Sequence, residues 1–215
     1  MSRESTLKRL SDTGVVAVIR AQSLGQLKDI TEALLAGGVI GIEVTMTTPK
    51  AIAGIEQLAD LYGDKIVLGV GTILDPGTCA DAIRAGARFV ISPVLNTKII
   101  ETTRTLGAVS IPGAYTPTEI LTAWQAGADV VKVFPATTLG PTFFKDILAP
   151  MPFLKLTPTG GVDEKTAPEF IKAGAVAVGA GSSLVSKDAL AKNDWAAITA
   201  KAQAFITAVA NARKK

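Results

Sequence analysis

The chain has 215 residues, 48% of them apolar and only 19% charged, with a formal net charge of +3 and an isoelectric point near 9.0. It contains no histidine, which removes Ser-His nucleophilic pairs, histidine-ligated zinc and the commonest general base, and its single cysteine, Cys79, cannot form an intrachain disulfide. The basic surplus is not gathered into Lys/Arg clusters interleaved with aromatics, so no nucleic-acid partner is expected, and the apolar runs are too short and interrupted to predict a membrane span.

A polar, charged N-terminus without a signal-peptide pattern, together with the lone cysteine, points to a cytoplasmic protein. A helix is predicted near residues 2–12 and a first β-branched strand near 15–20. Helices near 26–37, 49–61, 76–85, 96–106, 116–126, 142–149 and 165–172 then alternate with strands near 40–45, 66–71, 88–92, 108–111, 129–134, 154–159 and 176–180. A last helix is predicted near 194–212, and the tail Arg213-Lys214-Lys215 reads as a solvated terminus. The helix-to-strand joints share a phrase: Ala36-Gly-Gly-Val39, Ala85-Gly-Ala-Arg88, Ala126-Gly-Ala-Asp129 and Ala173-Gly-Ala-Val176. A glycine there can take positive φ and end the helix. Regular alternation implies parallel strands with right-handed crossovers. About eight units predict an α/β fold, a single (β/α)8 TIM barrel over residues 1–215 with an extra N-terminal helix; an open doubly wound sheet is the structural alternative. No linker or composition break marks a second domain.

In such a barrel the active site lies at the C-terminal ends of the strands. Alternation in Val130-Val-Lys-Val-Phe134 puts Val131 and Val133 on one face and Val130, Lys132 and Phe134 on the other; in Ile40-Gly-Ile-Glu-Val-Thr45 it separates Ile40, Ile42 and Val44 from Gly41, Glu43 and Thr45. If the aliphatic faces meet the helices, Lys132 and Glu43 both point inward. A lysine out of water tends to lose its proton and then is a nucleophile able to form an imine with a carbonyl. The plain alternatives are a buried ion pair with Glu43 or a snorkelling side chain. Lys155, near the opposite end of its strand, is the rival lysine. Gly160-Gly161, ahead of a helix expected from Asp163, and Gly181-Ser182 follow the last two strands, where backbone N–H groups of a barrel commonly bind phosphate. Arg20, at the end of the first strand, can hold a carboxylate or phosphate, or form a rim salt bridge. Cys79 reads as a packed helix residue.

These residues fall in a familiar order. Gly41-Ile-Glu-Val-Thr45, Gly69-Val-Gly-Thr72, Ile91-Ser-Pro93, Ile111-Pro-Gly113, Lys132-Val-Phe-Pro-Ala136, Pro158-Thr-Gly-Gly161 and Gly181-Ser182 resemble the class I aldolases that split 2-keto-3-deoxy-6-phosphogluconate and 4-hydroxy-2-oxoglutarate. The resemblance runs from Val15 to about Ala191. It implies an eight-stranded barrel, usually a homotrimer, using no metal or other cofactor on small 2-keto acid and aldehyde substrates. It places the imine lysine on Lys132, the acid–base glutamate on Glu43, substrate contacts on Thr72, Pro93, Phe134 and Thr159, and phosphate contacts on Gly160, Gly161, Gly181 and Ser182. One position departs: many phosphogluconate-cleaving members carry an arginine where this chain has Thr47. Arg20 is therefore expected to supply the counter-charge for the substrate carboxylate, and the gluconate and galactonate epimers both stay open. The competing readings are a phosphate-binding barrel isomerase or epimerase, which commonly needs metal-binding histidines or a second catalytic acid, and a non-catalytic effector-binding barrel.

Overall fold

Ser2 opens the first helix, α1 (Arg3–Thr13), by accepting from Ser5 N, and Gly14 closes it in the left-handed conformation at φ 71°. In the computed structural model, which describes residues 1–214, the strands are β1 (Val15–Ile19), β2 (Gly41–Thr45), β3 (Val67–Gly71), β4 (Phe89–Ile91), β5 (Val109–Ile111), β6 (Gly113–Ala114), β7 (Val131–Val133), β8 (Leu156–Pro158) and β9 (Val178–Ala180). Between and after them come α2 (Leu24–Ala36), α3 (Ala51–Tyr62), α4 (Pro76–Arg84), α5 (Thr97–Thr105), α6 (Pro117–Gln125), α7 (Gly140–Leu148), α8 (Ala167–Lys172), α9 (Lys187–Lys192) and α10 (Trp195–Arg213).

Strand pairing is parallel throughout, in the orders β5-β4-β3-β2-β1-β9 and β6-β7-β8. The result is a curled parallel sheet with helices on its outer face. Pro112 stands between β5 and β6. It has no N–H to offer a ladder, so the strand expected at 108–111 ends there, and the two-residue β6 that follows it was not expected; Lys132 N donates to Pro112 O at 2.9 Å. Between β8 and β9 there is a parallel bridge, Thr159 to Gly179.

The sheet separates two apolar layers. Ile42, Val44, Val131 and Val133 pack outward against the helices. Val16, Val67, Phe89, Ile91, Val109, Ile111 and Val130 form an inner cluster, which Leu10 of α1 completes. The predicted alternation therefore holds for Val130, Val131 and Val133. Ile40 departs from it: the residue precedes β2, outside the pleat, and packs with the inner cluster beside Leu7. α1 thus plugs the end of the curled sheet where the strands begin. Arg3 anchors the plug through an ion pair with Asp129 at 3.0 Å, and Asp129 also accepts from Ser110 N at 2.9 Å.

Three further expectations need correction. Arg213 is not merely solvated: its guanidinium donates to Ser11 O, Asp12 O and Val176 O, where a cation meets the exposed carbonyls at the end of α1; Lys215 lies outside the described residues. The helix expected from Asp163 begins at Ala167, because the Asp163 carboxylate accepts from Lys165 N and Thr166 N and folds that stretch into a turn. The short helix α9, capped by Ser186, was not foreseen, being too brief to show a periodic pattern. Among the described residues no helix is long and apolar enough to cross a membrane.

If α1 is a packed plug, Leu10→Ala, at a site only 3% exposed, should lower the unfolding free energy by about 2–5 kcal/mol. Urea titration followed by circular dichroism measures this; a change within error would show that the inner layer does not depend on α1.

Candidate active site

β7 carries one charged side chain between two outward valines. Lys132 is 6% exposed, and its Nζ lies 4.5 Å from the centroid of the Phe134 ring, two residues on along the same face. Burial pulls the lysine pKa below its ordinary value; the Glu43 charge opposes this and the Arg20 charge adds to it. Glu43, on β2, is 2% exposed, and burial pushes its pKa up against the opposing pull of Lys132 and Arg20. Both groups are thus displaced toward their neutral forms by the same cause, loss of water. They sense each other's charge but come no closer than 4.0 Å, so the buried ion pair considered from the sequence is not formed among the described residues. Glu43 Oε2 has no hydrogen-bond partner among the described residues. A buried carboxyl with an open oxygen beside a desolvated amine is suited to moving protons for a group bound to that amine.

Room for Glu43 comes from the next strand. Glu43 and Gly69 are register partners, and a methyl built on Gly71 would fall on the Glu43 carboxyl, reaching its Cγ at 2.8 Å. The carboxylate therefore lies across Gly71. After that glycine, Thr72 has φ 63°, an uncommon conformation for a β-branched residue that costs on the order of 1–3 kcal/mol. Pro93, at the end of β4, rests so close to Gly113 that a Cβ there would meet its backbone at 2.4–2.5 Å. Thr72 and Pro93 sit at the same end of the sheet as Glu43, on adjoining strands.

A cavity of about 260 Å³ gathers Arg20, Phe134, Thr159, Gly160, Gly161, Gly181 and Ser182. Gly160 and Gly161 have φ of 93° and 73°. Among the described residues, the N–H groups of Gly161, Ser182 and Ser183 donate to no protein acceptor. Ser183 Oγ donates to Val162 O at 2.5 Å and so ties the two loops together. Asp163 also lines this cavity, but its carboxylate is occupied by its own turn, whose Thr166 and Lys165 donors hold its pKa down. The only guanidinium in the lining belongs to Arg20, with Nη1 3.4 Å from where a Gly181 Cβ would stand and no carboxylate within 4.0 Å among the described residues. The rim salt bridge is therefore not made. Such a cradle of free N–H groups and one cation suits a phosphate.

Phe134 joins the two constellations, lining the cavity while its ring faces Lys132. Thr72 and Pro93 do not line this cavity. Lys155, the rival lysine, is exposed, and Cys79 is buried with its Sγ 3.3 Å from Thr103 Oγ1. No group of three or more His, Cys, Asp or Glu side chains among the described residues is arranged to hold a metal ion. The Gly71 niche and the Ser183 tie escaped the sequence reading. The first was visible only as a glycine beside Thr72, and the second depends on a contact across 21 residues.

Residues 6–201 match the family model for KDPG and KHG aldolase. The chain is 33% identical over 190 residues to the 2-dehydro-3-deoxy-phosphogluconate aldolase of Treponema pallidum, covering 88% of this chain and 90% of that one. It is 29% identical over 171 residues to the 2-dehydro-3-deoxy-6-phosphogalactonate aldolase of Escherichia coli K12, covering 79% and 83%. Among solved structures, a KDPG aldolase from Legionella pneumophila with pyruvate captured as a covalent carbinolamine intermediate superposes with a TM-score of 0.87 at 32% identity, covering 93% of this chain and 97% of that one. A 3-hexulose-6-phosphate synthase at 16% identity and a TM-score of 0.72 shares the fold.

The Gly71 niche yields a specific expectation. Gly71→Ala must displace the Glu43 carboxyl, so cleavage of the phosphorylated sugar acids named for its relatives should fall by about 100-fold or more, the range for a misplaced acid–base group. Steady-state assay beside circular dichroism checks it; full turnover in the folded variant would show that Glu43 is not needed where it lies.

Proposed function

The chain belongs to the KDPG and KHG aldolase family, and from that premise we propose that it splits a 2-keto-3-deoxy-6-phospho sugar acid, the gluconate or its galactonate epimer, to pyruvate and glyceraldehyde 3-phosphate through an imine on Lys132. 4-Hydroxy-2-oxoglutarate is a further candidate substrate. The observation that supports this most is the buried Lys132–Glu43 pair held short of a salt bridge. Neutral Lys132 adds to the C2 carbonyl, and the protonated Glu43 carboxyl gives its proton to the departing hydroxyl, so that loss of water leaves an iminium electron sink beside a Glu43 carboxylate. Glu43 accepts the proton of the C4 hydroxyl, the C3–C4 bond breaks, and the aldehyde leaves. The electron pair now lies in an enamine, and Glu43 returns its proton to C3. Hydrolysis of the imine frees pyruvate and regenerates the lysine. One carboxyl serves each transfer, in a chain without histidine.

The remaining contacts follow from position. Thr72, Pro93, Phe134 and Thr159 surround the reacting carbons, and the loops at Gly160, Gly161, Gly181 and Ser182 receive the phosphate, through the free N–H groups of Gly161, Ser182 and Ser183. Arg20 shares the cavity of the glycine loops, so we assign it to the distal phosphate and leave the substrate carboxylate to Thr72 and neighbouring backbone. We further take the curled sheet to close as one eight-stranded (β/α)8 barrel in a single domain, with β5 and β6 as one strand; the Thr159–Gly179 bridge and the Lys132–Pro112 hydrogen bond support that closure. The homotrimer implied by the resemblance is also a proposal, for which exposed Leu74, Val94 and Tyr115, on loops at one end of the sheet, offer apolar surface.

Pyruvate with borohydride should place one adduct on Lys132, mapped by peptide mass spectrometry. Raising the pH through the lowered lysine pKa removes its proton, so trapping should rise and level off below the ordinary lysine value of about 10.4. Adducts at Lys155, or cleavage without any adduct, would refute the imine site.

Arg20→Ala should raise KM for the phosphorylated substrate by about ten- to hundredfold, the loss of one charge-assisted contact, while pyruvate trapping stays unchanged. Weakened pyruvate binding would instead put Arg20 at the carboxylate.

A further inference from the structure

Arg20 has an exposed, multiply rotatable side chain and, among the described residues, no carboxylate within 4.0 Å to steady it. Its aim must start from the way its backbone is held. That hold comes from the turn after β2. Thr48 N donates to Thr45 O at 2.9 Å, closing the turn Thr45-Met46-Thr47-Thr48 and bringing its hydroxyls toward the exit of β1. Thr45 Oγ1 donates to Ile19 O at 3.0 Å, and Ala21 N donates to Thr48 Oγ1 at 3.3 Å. Ile19 and Ala21 are the residues on either side of Arg20.

Thr45 is 0% and Thr48 is 2% exposed, so solvent is poorly placed to replace either hydroxyl. Thr45 has one hydroxyl proton and gives it to Ile19 O. The 2.7 Å contact between Thr45 and Thr47 must therefore carry the proton of Thr47. The direction is fixed: Thr47 to Thr45 to the carbonyl before Arg20. Thr47 stands where the resemblance led to an expected arginine; here that position supports the arginine of the neighbouring strand.

We propose that Thr45, Thr47 and Thr48 are positioning residues that clamp the peptide units flanking Arg20 and so aim its guanidinium at the phosphate cavity. The proposal rests on the assignment of Arg20 to the distal phosphate. None of the three hydroxyls needs to touch substrate.

A double-mutant cycle on the full-length chain tests it, using cleavage of 2-keto-3-deoxy-6-phosphogalactonate and -gluconate. Thr48→Val should raise KM about three- to tenfold with kcat within about twofold, as expected when one buried hydrogen bond that only orients a binding group is lost. Thr48→Ser should restore KM. In the Arg20→Ala background, Thr48→Val should add nothing, which a merely structural role would not produce. Thr47→Val, at an exposed site, should give a smaller KM rise with the same dependence on Arg20, and it carries the test if Thr48→Val does not fold. An equal KM rise with and without Arg20, a fall in kcat instead, or normal KM in a folded Thr48→Val would overturn the clamp. If Arg20→Ala alone leaves KM unchanged, the assignment of Arg20 fails, an outcome separate from a normal Thr48→Val beside a defective Arg20→Ala.

Discussion

Desolvation of Lys132 is the constraint on which the rest of the site depends. An ammonium taken out of water costs several kcal/mol, and the usual remedy, a carboxylate in contact, would hold the proton in place. Here the carboxylate is near enough to be felt and too far to form the pair, and it is itself so buried that its own charge is disfavoured. Each group is therefore held toward the neutral form in which the proposed mechanism first uses it. The curled sheet makes this possible. Parallel strands with outward aliphatic faces leave the inner face free for a few polar groups, and glycines on neighbouring strands give those groups their space.

The molecule divides its labour by level. Where the strands begin, Leu10 and the inner aromatic and aliphatic side chains fill the interior, with Arg3, Asp129 and Arg213 fastening the helices that cover it. Where the strands end, the same inward positions carry Lys132, Glu43 and Thr159, and the backbone takes conformations that a pure stability argument would avoid, at Thr72, Gly160 and Gly161. Strain and an orphaned polar atom at one end are offset by the apolar cluster buried at the other.

Much of this was legible in the chain itself. Helix-to-strand glycines and β-branched runs placed every strand except β6, and period-two alternation turned Lys132 and Glu43 inward. What stayed hidden depends on contacts between distant residues. Ile40 looked like a strand residue facing the helices, and only the presence of α1 beneath it shows otherwise. Pro112 read as a strand end, although β6 resumes one residue later. Arg213 looked like a loose tail because two of its three carbonyl partners lie some 200 residues away and the third 37. The threonines around Arg20 left no signal of their own, since a hydroxyl bonded to backbone 26 or 27 residues away has no spacing rule.

The union of β8 with β9 carries a further consequence. The only paired residues there are Thr159 and Gly179, supported by Val176 N to Leu156 O and Thr157 Oγ1 to Ala177 O among the described residues. The cavity proposed for phosphate spans this same seam, drawing one loop from each side and stitching them through Ser183. A phosphate seated in it would act as a rivet, supplying from outside the cross-strand attachment that the ladder itself provides sparsely. Substrate so bound would complete the wall of the vessel that holds it, and occupancy would be felt as mechanical closure of the sheet as much as affinity for a ligand.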